Sequence, residues 1–253
     1  MQQNVNFKNR NGNTLSGIIH DTERQPTAYA LFAHCFTCTK NIKSANIIAQ
    51  TLAKNNIAVL RFDFTGLGAS TGDFSDSNFS SNVNDLIDAA NFLENNYQAP
   101  KLLVGHSLGG TAVLAAAPQI ESADAVVSIG SPAKPEHILH LLECKLDKIE
   151  EQGVAEVNLA GREFTFKQEF VDDVRSYDID FRNINKALMV MHSPFDTTVS
   201  IDEAADIFSQ AMHPKSFVSL DDADHLLTTK QHASYAANVI FSWSLRYIEK
   251  NIN

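Results

Sequence analysis

Short apolar runs alternate with longer amphipathic stretches along most of the chain. Runs rich in β-branched and aromatic residues predict strands, and apolar positions three or four residues apart predict helices. The predicted strands cover residues 5–10, 14–20, 28–33, 57–64, 101–105, 123–130, 186–191 and 215–220. The predicted helices cover residues 41–54, 82–95 and 234–250, with two others that follow Ser107 and Ser200. Because single helices separate most strands, the pattern predicts an α/β fold whose mostly parallel sheet has helices on both faces.

The first two predicted strands depart from this alternation. Asn11, Gly12 and Asn13 lie between them, and such residues favour a tight hairpin turn. We therefore expect two antiparallel strands at the N-terminal end of the sheet. Near the other end of the chain, Ser200 with Glu203 three residues later has the spacing of a helix capping box.

The stretch between residues 131 and 185 is much longer than one crossover helix requires. Its pattern predicts a long helix over 135–152, followed by a hairpin over 155–166. We interpret residues 132–185, approximately, as an inserted lid on a single domain that spans residues 1–253. Phe164 and Phe166 in the hairpin favour an apolar substrate group.

Composition and charge narrow the possible partners. The formal net charge is −10, whereas nucleic-acid binding needs clustered Lys and Arg. No apolar run approaches the roughly 20 residues of a membrane-spanning helix, and the polar start lacks the pattern of a signal peptide. The cysteine count of three is low and odd, which argues against a disulfide scaffold. We therefore expect a cytoplasmic protein without a nucleic-acid partner or membrane insertion.

The hexapeptide GHSLGG at residues 105–110 is the most informative motif. It matches G-x-S-x-G, in which a strand turns sharply into a helix and exposes its serine as a nucleophile. The helix N-terminus then lies beside a developing negative charge. An apolar strand before Ser107 and an Ala-rich helix after it provide the required context. The alternative is a tight strand-to-helix turn with an N-cap serine.

A serine nucleophile needs a base, and the base needs an orienting carboxylate. Asp196 and His225 each follow a predicted strand, and the order serine, acid, histidine is the one expected for this architecture. Loops after parallel strands gather at one edge of the sheet, so Ser107, Asp196 and His225 are expected to meet there. The alternative acid is Asp224, which adjoins His225 in sequence. The alternative bases are His106 and His192.

These motifs together resemble the α/β-hydrolase family over essentially the whole chain. The resemblance is carried by GHSLGG, by SPFDTTV around Asp196, by DADHLL around His225 and by RFDFTGLGASTG at residues 61–72. The last segment is similar to the family stretch D-x-R-G-x-G-x-S, with Thr65 in place of the usual arginine. Its glycines are not followed by G-K-[ST], which argues against a nucleotide-binding loop.

A narrower resemblance joins LFAHCFTCTKN, GHSLGG and DADHLL to hydrolases that are fused to, or paired with, OsmC-type peroxidase domains. It implies a possible OsmC-type partner protein. The resemblance to α/β-hydrolases also implies that an amide in the loop after the third strand forms half of an oxyanion hole. Phe36 is the candidate there, paired with the amide of Leu108, and Cys35 stands where the family usually has glycine.

The pair Cys35 and Cys38 has three interpretations: a zinc site, a disulfide or two incidental thiols. A zinc site needs two more ligands, and no second C-x-x-C is present. A redox or regulatory disulfide is a further alternative. We interpret the two residues as thiols incidental to the oxyanion loop. Similarly, His137, His140 and Cys144 share one helical stripe, which an amphipathic helix explains without a metal.

The sequence as a whole predicts a serine hydrolase that needs neither a metal nor an organic cofactor. Its predicted reaction is cleavage of an ester or thioester with a small to medium acyl group through an acyl-enzyme. The same triad also supports amide or peptide cleavage. The alternative from another class is a non-catalytic partner of an OsmC-type peroxidase.

Overall fold

The core of the protein is a mixed sheet of eight strands. A computed structural model describes residues 1–159 and 161–249. The order of strands across the sheet is β1-β2-β4-β3-β5-β6-β9-β10. Their bounds are β1 Gln2–Lys8, β2 Thr14–His20, β3 Ala28–Ala33, β4 Ile57–Phe62, β5 Pro100–His106, β6 Ala125–Ile129, β9 Ala187–His192 and β10 Lys215–Ser219.

The direction of pairing agrees with the sequence pattern. β1 pairs antiparallel with β2, and β2 pairs antiparallel with β4. The neighbouring strands in the order β4-β3-β5-β6-β9-β10 pair in parallel. The predicted mostly parallel sheet with two antiparallel N-terminal strands is therefore confirmed. Because β3, β5 and β9 are parallel, the loops that follow them leave the same edge of the sheet.

Helices cover both faces of this sheet. The helices are α1 Lys43–Lys54, α2 Phe79–Asn96, α3 Leu108–Ala116, α4 Glu143–Gln152, α5 Gln168–Ser176, α6 Ile201–Gln210 and α7 Lys230–Ile248. One apolar layer contains buried residues of α1 and α7, and the other contains those of α2, α3, α5 and α6. Side chains of β3 alternate between the layers, with Leu31 in one and Phe32 in the other. Among the described residues, each helix is too short or too polar to cross a bilayer.

The segment between β6 and β9 carries a separate hairpin, β7 Val154–Leu159 with β8 Arg162–Lys167. We call residues 131–186 the inserted segment. The hairpin matches the prediction, but the predicted long helix is wrong over its first half. A 3₁₀ helix occupies Pro135–Leu142 and the α-helix begins only at Glu143. The single-domain organisation of residues 1–253, and a lid role for the segment, stay predictions.

Two further expectations differ from the structure in detail. Ser200 does cap α6, but it accepts from the amide of Asp202, and the carboxylate of Glu203 accepts from the amide of Ala133 instead. The predicted capping box is therefore wrong, because Glu203 is used to bind the inserted segment. The last helix begins at Lys230, earlier than predicted, and Lys250 at its predicted end lies outside the described residues.

Candidate active site

Ser107 lies in a sharp turn between β5 and α3. Its φ of 54° is in the left-handed region, which is unfavourable for a residue with a side chain. The turn is close because Gly105 packs against the backbone of Gly109 and Gly110, where a Cβ atom would collide. The two glycines of the motif therefore permit the strained conformation that leaves the Ser107 hydroxyl only half-buried.

Ser107, His225 and Asp196 form a continuous hydrogen-bonded chain. The Ser107 hydroxyl lies 3.0 Å from Nε2 of His225, and Nδ1 of His225 lies 2.7 Å from Oδ2 of Asp196. Loops after β5, β9 and β10 supply these three residues, as the topology predicts. Both distances are within hydrogen-bond range, so the geometry suits proton transfer from serine to imidazole.

Asp196 is fixed by its own loop. Its side chain is only 2% exposed, and Oδ1 accepts hydrogen bonds from the amides of Thr198 at 2.8 Å and Val199 at 2.9 Å. Burial opposes ionisation of this carboxyl group, but the hydrogen bonds from His225 and from the two amides outweigh it and lower the pKa of Asp196. The group is therefore an anion at neutral pH, which suits the stabilisation of a protonated imidazole.

The alternative acid and bases have other partners. Asp224 accepts hydrogen bonds from the amide and hydroxyl of Thr228. Nε2 of His106 donates to the carbonyl of His225 at 2.6 Å, and Nε2 of His192 donates to the carbonyl of Val199 at 2.9 Å. Neither of these two histidines is hydrogen-bonded to Ser107. They hold the loops that carry the base and the acid.

The amides of Phe36 and Leu108 are available as donors beside the nucleophile. Within the described residues neither amide makes a hydrogen bond. The loop that carries Phe36 packs directly on the start of α3, where a Cβ atom at Gly109 would collide with the carbonyl oxygens of Ala33 and His34. Both unpaired amides thus belong to segments in direct contact, as two halves of an oxyanion hole require.

Cys35 and Cys38 form a disulfide, so our interpretation of them as incidental thiols is wrong. The amide of Cys38 also donates to the carbonyl of Cys35 at 3.1 Å, which closes a four-residue turn. Local turn geometry brings the two sulfur atoms together, and the spacing alone could not distinguish this from separate thiols. Oxidised sulfur is not a thiolate ligand, which also removes the zinc alternative for this pair.

The stripe of His137, His140 and Cys144 does not form a metal centre. Within residues 1–159 and 161–249, no group of three potential ligands is close enough to hold an ion. His137 donates to the carbonyl of Thr198 at 3.2 Å, and His140 pairs with Glu143 at 2.8 Å. Cys144 is exposed and free.

Aromatic side chains of the inserted segment cover the loop that carries Phe36. The ring of Phe36 lies 6.0 Å from that of Phe166 and 5.8 Å from that of Phe170. Arg162 donates to the carbonyl of Thr37 at 3.1 Å. A cavity of about 10 Å³ borders Phe36 and Leu108, which is room for about one water molecule. The inserted segment therefore covers this side of the site.

Sequence reasoning missed a buried polar cluster behind the loop. Asp63 is paired with Lys40, accepts from the Lys40 amide at 2.6 Å and accepts from the Ala69 amide at 3.0 Å. Arg61 donates to the carbonyl of Lys40. The signal was the placement of two charges, Arg61 and Asp63, in an otherwise apolar strand and its end. Such charges are almost never buried unless they are paired.

Comparison with known proteins shows the family and the fold. The family model described as serine aminopeptidase, S33, matches residues 25–180. None of the curated proteins compared with the chain matches it. Among solved structures, the esterase domain of a Rhodothermus marinus protein is 42% identical, with a TM-score of 0.79. That alignment covers 98% of this chain and 99% of the other.

More distant structures share the fold alone. The α/β-hydrolase GrgF from Penicillium sp. sh18 is 18% identical, with a TM-score of 0.81 over 98% of this chain and 99% of that chain. Est1E from Butyrivibrio proteoclasticus, solved with ferulic acid bound, is 17% identical, with a TM-score of 0.79 over 97% of this chain and 100% of that chain. The fold is therefore that of the α/β-hydrolases.

Proposed function

Since the chain belongs to the serine aminopeptidase, S33, family of α/β-hydrolases, we propose that it is a serine esterase. Its proposed substrate is an ester or thioester with a short acyl group. The observation that carries the proposal is the hydrogen-bonded chain of Ser107, His225 and Asp196 beside two unpaired amides. The similarity to a domain described as an esterase, at 42% identity, supports ester over amide cleavage.

In the acylation step, the Ser107 hydroxyl attacks the carbonyl carbon of the substrate. His225 takes the hydroxyl proton at Nε2, and Asp196 stabilises the resulting imidazolium through Nδ1. The carbonyl oxygen becomes an oxyanion and accepts hydrogen bonds from the amides of Phe36 and Leu108. Collapse of this intermediate breaks the bond to the leaving alcohol or thiol, which takes the proton from His225.

In the deacylation step, water attacks the acyl-enzyme. His225 takes a proton from the water, the same two amides bind the second oxyanion, and the proton returns to Ser107 as the acid leaves. Each preorganised donor in such a site stabilises the transition state by roughly 2.7–4 kcal/mol. No step requires a metal or an organic cofactor.

The small space beside the proposed oxyanion donors supports a short acyl group. The cavity that borders Phe36 and Leu108 has a volume of only about 10 Å³. A long chain that entered on this side would have to displace Phe166 and Phe170, which pack on Phe36. We therefore propose that acetyl is preferred over longer acyl groups, since each added methylene must find apolar space in order to contribute about 0.8 kcal/mol.

Hydrolysis of p-nitrophenyl esters from acetate to decanoate tests this function. Ser107→Ala should lower kcat by roughly 10⁴-fold or more, because the nucleophile is lost. The matched control is Ser131→Ala, since among the described residues the Ser131 hydroxyl donates only to the carbonyl of Ile129. Equal rates in the wild type and Ser107→Ala would refute the mechanism. A maximum at decanoate would refute the proposed chain length.

Two alternatives remain as separate outcomes. Amide cleavage, which the family description includes, predicts faster turnover of aminoacyl p-nitroanilides than of the acetate ester. A non-catalytic partner of an OsmC-type peroxidase stays a prediction, and it requires that a fluorophosphonate fail to label Ser107. Rapid labelling in the wild type and none in Ser107→Ala would support the enzyme.

A further inference from the structure

The carbonyl of Cys35 is held by two donors. Nδ1 of His34 lies 2.8 Å from this oxygen and therefore carries the proton, while the amide of Cys38 donates from 3.1 Å. His34 is 2% exposed, and its Nε2 has no partner within the described residues. The ring thus has one hydrogen bond to make, and it makes that bond to the Cys35 carbonyl.

This carbonyl determines where the next amide points. In a trans peptide the carbonyl of one residue and the N–H of the next lie in one plane and point in opposite directions. With the Cys35 oxygen bound to His34 and Cys38, the Phe36 N–H must project to the other side. It makes no hydrogen bond within the described residues, whereas the amide of Cys38 in the same turn does. A flipped peptide would instead present an oxygen atom to the oxyanion and repel it.

The disulfide maintains an otherwise unfavourable turn. Thr37 lies between the two cysteines with a φ of 57°, where a β-branched residue is strongly disfavoured. The bond between Cys35 and Cys38 closes the turn covalently. Without that bond, Thr37 could relax to negative φ, and the hydrogen bond from the Cys38 amide would break.

We propose that the disulfide and His34 are positioning residues that orient the Cys35–Phe36 peptide so that its amide serves the oxyanion hole. This inference rests on the proposed esterase function. Its consequence is that hydrolysis depends on the oxidation state of the pair. A dithiol reductant supplies two electrons and two protons, the sulfur–sulfur bond breaks, and two thiols form.

The bond is reachable by a reductant from one side. Cys35 is 4% exposed, whereas Cys38 is half-buried. A thiolate therefore attacks the sulfur of Cys38, and Cys35 leaves as a thiolate and takes up a proton. The second thiol of the reductant then releases Cys38. The free Cys144 is exposed, so the experiment uses a Cys144→Ser background.

The test compares kcat and KM for p-nitrophenyl acetate before and after reduction with dithiothreitol, at 25 °C. Thiol titration should count two new thiols per chain. We expect kcat to fall at least about 10-fold and at most by the roughly 10²–10³-fold decrease in kcat that follows deletion of one oxyanion donor. KM should change less than threefold. Cys38→Ser should start at the lower kcat and not respond to the reductant. An unchanged kcat with both thiols titrated would overturn the proposal.

A second pair of variants tests the same orientation without touching the cysteines. In His34→Asn the side-chain NH₂ stands near the position of Nδ1, whereas in His34→Gln it stands near Nε2. We expect His34→Asn to retain kcat within about threefold, and His34→Gln to lose about 10-fold at similar KM. Equal losses in both variants would show a packing role and overturn the assignment of His34.

These results also separate the two proposals. If Ser107→Ala hydrolyses as fast as the oxidised wild type, the proposed function fails. If Ser107 is essential but kcat is the same in the reduced enzyme, only the inference about the disulfide fails.

Discussion

His106 offers a quantitative test of how the catalytic loops are held. Its ring is 2% exposed, and Nε2 donates to the carbonyl of His225 at 2.6 Å, while Nδ1 has no partner within the described residues. Burial, followed by the nearby ring of His225, lowers the pKa of His106 from 6.5 to about 4. The folded protein therefore requires a neutral ring at this position.

The shift makes the free energy of unfolding depend on pH. Because the pKa is lower in the folded state, the unfolded chain binds the proton more readily between pH 4 and pH 6.5. The contribution of the neutral His106 ring to the free energy of unfolding is fully present above pH 6.5. It is lost as the pH falls from 6.5 towards 4. The loss amounts to roughly 2–3 kcal/mol by pH 4.5, at 1.36 kcal/mol per pKa unit.

His106→Gln is the matched perturbation, because its amide NH₂ stands near Nε2 and has no proton to gain in this range. Urea unfolding at pH 7.5 and pH 4.5 should show that the free energy of unfolding of the wild type falls by roughly 2–3 kcal/mol more than that of His106→Gln. Other titrating groups contribute to both proteins and cancel in the comparison. At pH 7.5 we expect esterase activity close to that of the wild type. An equal loss in both proteins would refute the argument.

Three other substitutions, one of them with a matched control, test the site and the segment that covers it. Asp196→Asn should lower kcat by roughly 10⁴-fold, because the amide favours the wrong imidazole tautomer, whereas Asp224→Asn should leave the ester assay unchanged. Gly109→Ala should lower kcat about 10²-fold with a smaller effect on KM, because the new Cβ atom must push the Ala33 and His34 carbonyls away. Steady-state kinetics measures kcat and KM separately. Phe166→Ala should cost about 3–5 kcal/mol in urea unfolding, because the ring is 1% exposed.

The sheet and the three residues at its edge could be predicted because their signals are local. The strands in the middle of the sheet are short apolar runs, and G-x-S-x-G requires two small residues at fixed positions around Ser107. Asp196 and His225 could then be chosen by their order and by their place after β9 and β10. The structure brings these residues together at 2.7 Å and 3.0 Å.

The features that could not be predicted depend on contacts between distant segments. Glu203 has the spacing of a capping box, but its carboxylate binds the amide of Ala133 on the inserted segment. The disulfide depends on the turn at Thr37, which the sequence pattern does not reveal. His106 can be placed at the end of a strand, but its hydrogen bond to the His225 carbonyl spans 119 positions of the chain.

The amide and the ring of Phe36 have different roles. Its amide faces the proposed oxyanion, while its ring packs on Phe74, Phe166 and Phe170. If the segment acts as the predicted lid, its opening for substrate entry would loosen the residue proposed to stabilise the transition state. A substrate that lets the segment close again would then restore the donor, and one that holds it open would be bound but turned over slowly. Such a lid would select substrates after binding, according to whether they permit it to close.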